Sequence, residues 1–160
     1  MRWQPAEPTC GQCGFDWTMG RDACATVVGG AAEAARATLA SIRDPTVRRG
    51  ARWSAAMYVW HLVDVVRIGT ERLLTLRLDP AAGIPCWDEN ALAEARRYDR
   101  LSPPVGLVAL DAACRSWLEG HAGTSDDAEV RHPELGPLGA TELARRTAHE
   151  VRHHLLDLRT

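Results

Sequence analysis

The stretch "RWSAAMYVWHLVDVVRIGTERLLTLRL", from about Arg52 to Leu78, constrains the fold more than any other part of this chain. It is far too long for a strand, which usually runs about 3–10 residues. Its apolar positions recur at helical spacing, with Met57, His61, Val65 and Ile68 on one face. It stops at Asp79-Pro80, since a residue ahead of proline avoids helical angles. The same punctuation, Asp44-Pro45, closes an alanine-rich helix predicted from about Asp22 to Ile42. Ser102 followed by Pro103 reads as the N-cap and first position of a third helix, to about Glu119. A fourth is predicted from about Ala140 to Leu158.

Between these lie a Pro- and Gly-rich loop, "DPAAGIPCWDEN", with a short helix at about Ala91 to Tyr98, and a polar connection, "GHAGTSDDAEVRHPELGPLG". That connection is too long for a simple turn, and loops of this length are often functional or mobile. Hairpin dipeptides such as Asn-Gly are absent, so no sheet is expected. The expected fold is all-α, a four-helix bundle in one domain over 1–160, with residues 1–21 an N-terminal arm and 22–158 the bundle. At 160 residues and 46% hydrophobic, the chain can bury a core of its own.

Charge narrows the function. A net charge of -2 without a basic run gives no electrostatic case for nucleic acid. All 19 basic residues are arginine, which removes lysine Schiff-base chemistry and the P-loop. There is no signal-peptide core and no apolar run of membrane-spanning length, and five irregularly spaced cysteines suit a reducing compartment. A cytoplasmic protein acting on a small molecule, away from membranes, is expected; pairing into a homodimer through exposed helix faces is left open.

The last helix contains His149-Glu150-Val151-Arg152-His153, a literal H-E-x-x-H, followed by His154. On a wheel of about 100° per residue, Ala144, Ala148, Val151, Leu155 and Leu158 form the core-facing stripe. His149 and His153 fall nearly opposite, among Glu142, Arg145 and Arg146, whereas Glu150 and His154 sit at the edge of the stripe. Ligands inside a bundle must point inward, which selects Glu150 and His154, with His61 as the third ligand from another helix. A zincin arrangement would also need a further downstream ligand, and only seven residues follow His153. Two histidines and a carboxylate leave a coordination position open, which is a catalytic arrangement of zinc and also one that holds ferrous iron.

The segments "RWSAAMYVWHLVDVVRIGTERL", "WDENALAEARRYDR" and "HPELGPLGATELARRTAHEVRHHLLDL" resemble the DinB-like superfamily, over about Ala23 to Leu158. The resemblance implies a metal-binding four-helix bundle of up-down-down-up order. It also implies thiol-dependent chemistry, as in the mycothiol-dependent maleylpyruvate isomerase and bacillithiol transferases. Carried over from the mycothiol-dependent branch, the ligands become His61, Glu150 and His154. Relatives with three histidines keep His149 and His153 open as alternatives. The chain shows no counterpart of that isomerase's separate C-terminal domain, so a substrate other than maleylpyruvate is expected. The implied cofactors are a divalent metal, zinc first with iron or nickel as alternatives, and a low-molecular-weight thiol such as mycothiol.

A divalent ion with an open position can deprotonate a bound thiol, the basis of an S-transferase or isomerase, or it can activate water for hydrolysis. A bundle that binds metal or a small ligand without turnover is the non-enzymatic alternative. Asp64, one turn beyond His61, and Arg67 are the catalytic candidates; Arg97 and Arg100 are further arginines, and Trp60, Trp87 and Tyr98 further aromatics, for a pocket. Cys10 and Cys13 form a C-x-x-C, half of a zinc ribbon, and a second metal site there is left open. Without a second C-x-x-C, the expected state of this pair is reduced thiols in a mobile arm. His121 and His132 are expected to be structural or exposed.

Overall fold

The computed structural model describes residues 5–48 and 52–159; the first four residues of the expected arm, positions 49–51 and residue 160 lie outside them. Six α-helices are present among the described residues: α1 (Arg21–Gly29), α2 (Ala31–Ala40), α3 (Ala55–Leu78), α4 (Glu89–Ala95), α5 (Pro103–Ala122) and α6 (Ala140–Asp157). The expected first helix is therefore two, broken at Gly29-Gly30, where the Gly30 amide donates back to Thr26 and ends α1. Glycine is a poor interior helix residue, and two in a row supply the break. α3 begins three residues later than expected, where the Ser54 hydroxyl accepts from the Met57 amide as an N-cap.

The direction of each helix follows from its neighbours. Gly106 of α5 lies against Val59 and Trp60 of α3, and Gly120 lies against Thr70, so α3 and α5 run parallel. Gly69 of α3 meets Thr147 of α6, and His61 meets His154, so those two run antiparallel. Arg21 at the start of α1 donates to the carbonyls of His121 and Thr124 at the far end of α5, and Gly29 meets Leu118. α1 thus opposes α5. The result is up-down-down-up. Gly69 permits this packing: a Cβ there would come within 2.6 Å of the Thr147 hydroxyl and 3.1 Å of the Trp117 indole nitrogen.

The core is aliphatic and aromatic, with Val59, Leu62, Leu73, Leu110, Trp117 and Val151 all but sealed from solvent. Burial of that apolar surface is the main force holding the bundle together. The long connection before α6 is not structureless. It holds an antiparallel hairpin, β1 (Val130–His132) paired with β2 (Gly136–Leu138), whose turn uses Gly136 at φ 75°. The buried His132 accepts from the amides of Glu134 and Leu135 and so shapes this turn. Ile84 donates to the Arg131 carbonyl, tying the α3–α4 loop to the hairpin. No helix among the described residues is long and apolar enough to cross a membrane.

Candidate metal centre

His61 lies in the middle of α3 and is fully buried, with Trp87 stacked at 5.6 Å between ring centroids and Trp53 edge-on at 5.0 Å. Neither of its ring nitrogens makes a hydrogen bond. Such an imidazole is costly, about 1–3 kcal/mol for each buried polar atom left unsatisfied. Burial, and after it the neighbouring His154, pushes its pKa down to about 3, so the ring is neutral and offers a lone pair.

The ring of His154, from α6, stands edge-on to His61 with centroids 4.3 Å apart. Its Nδ1 lies 3.0 Å from Asp157 Oδ2. A carboxylate has no proton to give, so Nδ1 is the N–H, and Nε2 carries the lone pair when the ring is neutral. Nε2 is buried and makes no hydrogen bond, although Glu150 Oε2 stands 3.3 Å away. An imidazole held by a carboxylate on one nitrogen and bare on the other is the usual outer arrangement of a metal-ligating histidine.

Two carboxylates border this pair. Burial would raise the Glu150 carboxyl, but the hydrogen bond from His149 and the closeness of the His154 ring hold it far below the usual carboxylate range, so it is ionised. Its other oxygen, Oε1, lies 3.0 Å from His149 Nδ1. Glu89 enters from the start of α4, positioned by Asp88, whose side chain caps the helix by accepting from the Asn90 and Ala91 amides. Glu89 Oε2 is 4.0 Å from His61 Nε2, and single ligand atoms of His61, Glu89 and His154 lie within 4.8 Å of one another. The sequence offered no reason to select Glu89, which falls before the short helix expected at about Ala91 to Tyr98; the helix runs Glu89–Ala95 instead, because Asp88 caps it.

Glu89 also lines two cavities. One, of about 310 Å³, is bounded by Trp87, Glu150, Arg72, Arg146 and the hairpin residues His132 and Glu134. The other, of about 590 Å³, is bounded by Trp53, Tyr58, His154, Asp157 and Gln12. Arg67, by contrast, is exposed and lines neither cavity. Asp64 is buried, and its carboxylate accepts from the Tyr98 hydroxyl and the Arg96 guanidinium, tying α3 to the segment after α4. Arg97 and Arg100 pair with Asp99 instead of lining either cavity. Trp60 packs between helices and donates to the Ser102 carbonyl. His121, mostly buried, stacks on Trp117 at 4.8 Å.

His149 and His153 do lie on the other side of α6, but that side is covered. Their side chains keep only 14% and 22% of their accessible surface. The cover is the N-terminal arm, which is packed, contrary to the mobile arm expected. Arg152 donates to the Cys13 carbonyl, and Arg145 donates to those of Met19 and Thr18. The Cys10 thiol, drawn down to about 6 by the Cys13 backbone N–H and then by His149, sits against this face of the helix. Cys24 and Cys114 are buried thiols pushed up to about 11 by desolvation, which makes them unreactive.

The family model of the DinB superfamily matches residues 1–158. No curated protein sequence matches this one. Among solved structures, YfiT from Bacillus subtilis, described as a probable metal-dependent hydrolase with an unusual four-helix bundle topology, is similar with a TM-score of 0.71. It is 17% identical, over 98% of this chain and 91% of that one. A second four-helix bundle protein, TT2238, is similar with a TM-score of 0.61 at 23% identity, over 86% of this chain and 97% of that one. At these identities the likeness is one of fold.

Proposed function

Because the chain belongs to the DinB superfamily, we propose that it is a divalent-metal-dependent enzyme that transfers a low-molecular-weight thiol, of the mycothiol kind, to a small electrophile. His61 and His154 hold the ion with Glu150, the carboxylate the sequence selects, which stands 3.3 Å from His154, whereas Glu89 is the carboxylate grouped within 4.8 Å of both histidines. The observation that carries this is the pair of facing imidazoles, with His61 Nε2 and His154 Nε2 buried and unbonded, where two cavities meet at Glu89. Zinc is the first choice for two imidazoles and a carboxylate, and iron or nickel would accept the same donors. When bound, such an ion supplies Lewis acidity that lowers the pKa of a thiol beside it.

The protein's own residues do the rest. Asp157 fixes the His154 tautomer, and Trp87 and Trp53 hold the His61 ring and keep water from it. Glu89, with 51% of its side chain exposed, joins both cavities and is placed to take the thiol proton and pass it to solvent. Two cavities sharing one wall suit two organic reactants, and both volumes fall in the range of about 300–1,000 Å³ usual for small-molecule sites. Arg72 and Arg146 reach the smaller cavity beside Glu150 and would hold an acidic substituent of the electrophile. Hydrolysis, the activity named for YfiT, is the second reading, favoured by the same open arrangement with water in place of the thiol.

The test begins with metal analysis of purified protein, then a thermal-shift series with low-molecular-weight thiols, then transfer to model electrophiles. Thiol-dependent stabilisation of the metal-loaded protein, lost after chelation, is expected. Turnover of ester or amide substrates that ignores thiol would decide for hydrolysis. Glu89→Gln should keep the ion and lose about 100-fold or more in kcat, the usual contribution of a general base. If Glu89→Gln purifies without metal, Glu89 is a ligand and the assigned role is wrong.

A further inference from the structure

The motif residues left over by that site, His149 and His153, face the arm that carries Cys10 and Cys13. Single ligand atoms from all four lie within 4.8 Å of one another. The spacing is C-x2-C with H-x3-H, which is the ligand spacing of closed structural zinc sites. The arm is built as a tight turn around its sulfurs. Gly14 donates to the Cys10 carbonyl at 2.8 Å and Cys10 to the Phe15 carbonyl at 2.9 Å, with Thr9 bridged to Asp16. Gly14 makes this possible at φ 66°, a left-handed conformation that residues with a Cβ rarely adopt.

The histidines are prepared in the same way. His149 donates its Nδ1–H to Glu150 Oε1, which leaves Nε2 as the lone-pair nitrogen, and that atom is buried with no hydrogen bond. His153 Nδ1 is likewise buried and unbonded. Trp17 stacks on His149 at 4.5 Å, and the fully buried Phe15 meets it edge-on at 5.6 Å, forming an apolar wall.

We propose that Cys10, Cys13, His149 and His153 form a second, structural zinc site that fastens the N-terminal turn to α6. Four protein ligands leave no open position, so this site carries no substrate, and binding releases the thiol protons to solvent. It stands on its own four residues and not on the proposed thiol transfer. Glu150 links the two centres, with Oε1 on His149 and Oε2 beside His154.

Full-length protein prepared with zinc should carry two equivalents, and the Cys10→Ser/Cys13→Ser double variant one. His61→Ala should retain the equivalent that the double variant loses. Cobalt substituted for zinc should give thiolate-to-metal charge-transfer absorption in the wild type and in His61→Ala, but none in the double variant. If the double variant fails to fold, the wild type still decides, through its cobalt spectrum and through protection of Cys10 and Cys13 from alkylation by zinc. A cobalt protein without thiolate absorption, or thiols alkylated equally fast with and without zinc, would overturn the site. A thiolate band with only one equivalent in total would support it and count against the bundle centre instead.

Discussion

His61→Ala is expected to purify without the ion of the bundle centre and to lose about a thousandfold or more in kcat/KM, since a catalytic metal contributes several kcal/mol to the transition state. The helices should survive. The imidazole is fully buried but makes no hydrogen bond, so its removal exchanges packing around Trp87 and Trp53 for relief of two unsatisfied nitrogens. Circular dichroism should therefore stay close to wild type while elemental analysis shows the loss. Full occupancy of both sites in this variant would remove His61 from the ligand set.

Asp64→Ala should act on stability instead. Its carboxylate accepts from Tyr98 and Arg96 in a buried position, so truncation strands a tyrosine hydroxyl and a partly buried guanidinium. Breaking such a buried pair from one side costs about 3–5 kcal/mol. Urea unfolding should show this as a lower midpoint, with the metal content of the folded fraction unchanged. Asp64→Asn, which keeps an acceptor for Tyr98, should lose less. A fully stable Asp64→Ala protein without activity would return Asp64 to the catalytic role that its place one turn beyond His61 first suggests.

Much of the bundle was legible because its boundaries are made by local chemistry. Proline after Asp44 and Asp79, and proline at the first position of α5, act on their immediate neighbours whatever the rest of the chain does. Gly29-Gly30 carried an equally local signal for the break between α1 and α2, which the alanine-rich pattern around it obscured. The hairpin could not be found by alternation, because its strands are three residues each, and its turn is made by His132 accepting two amides. The wheel separated His154 from His149 and His153, since helical geometry alone decides which side a residue takes. It could not show what covers the far side. That depends on contacts between residues more than a hundred positions apart, such as Arg152 with Cys13. Glu89 was illegible for the same reason, because its place near His61 is set by the path of the loop after α3.

The bundle centre is tested most directly by crystals of the zinc-loaded protein, with anomalous diffraction collected on both sides of the zinc edge. An anomalous peak is expected between His61 and His154, bounded by Glu150, and a separate peak among Cys10, Cys13, His149 and His153. No density between His61 and His154 in protein that elemental analysis shows to be zinc-loaded would contradict it.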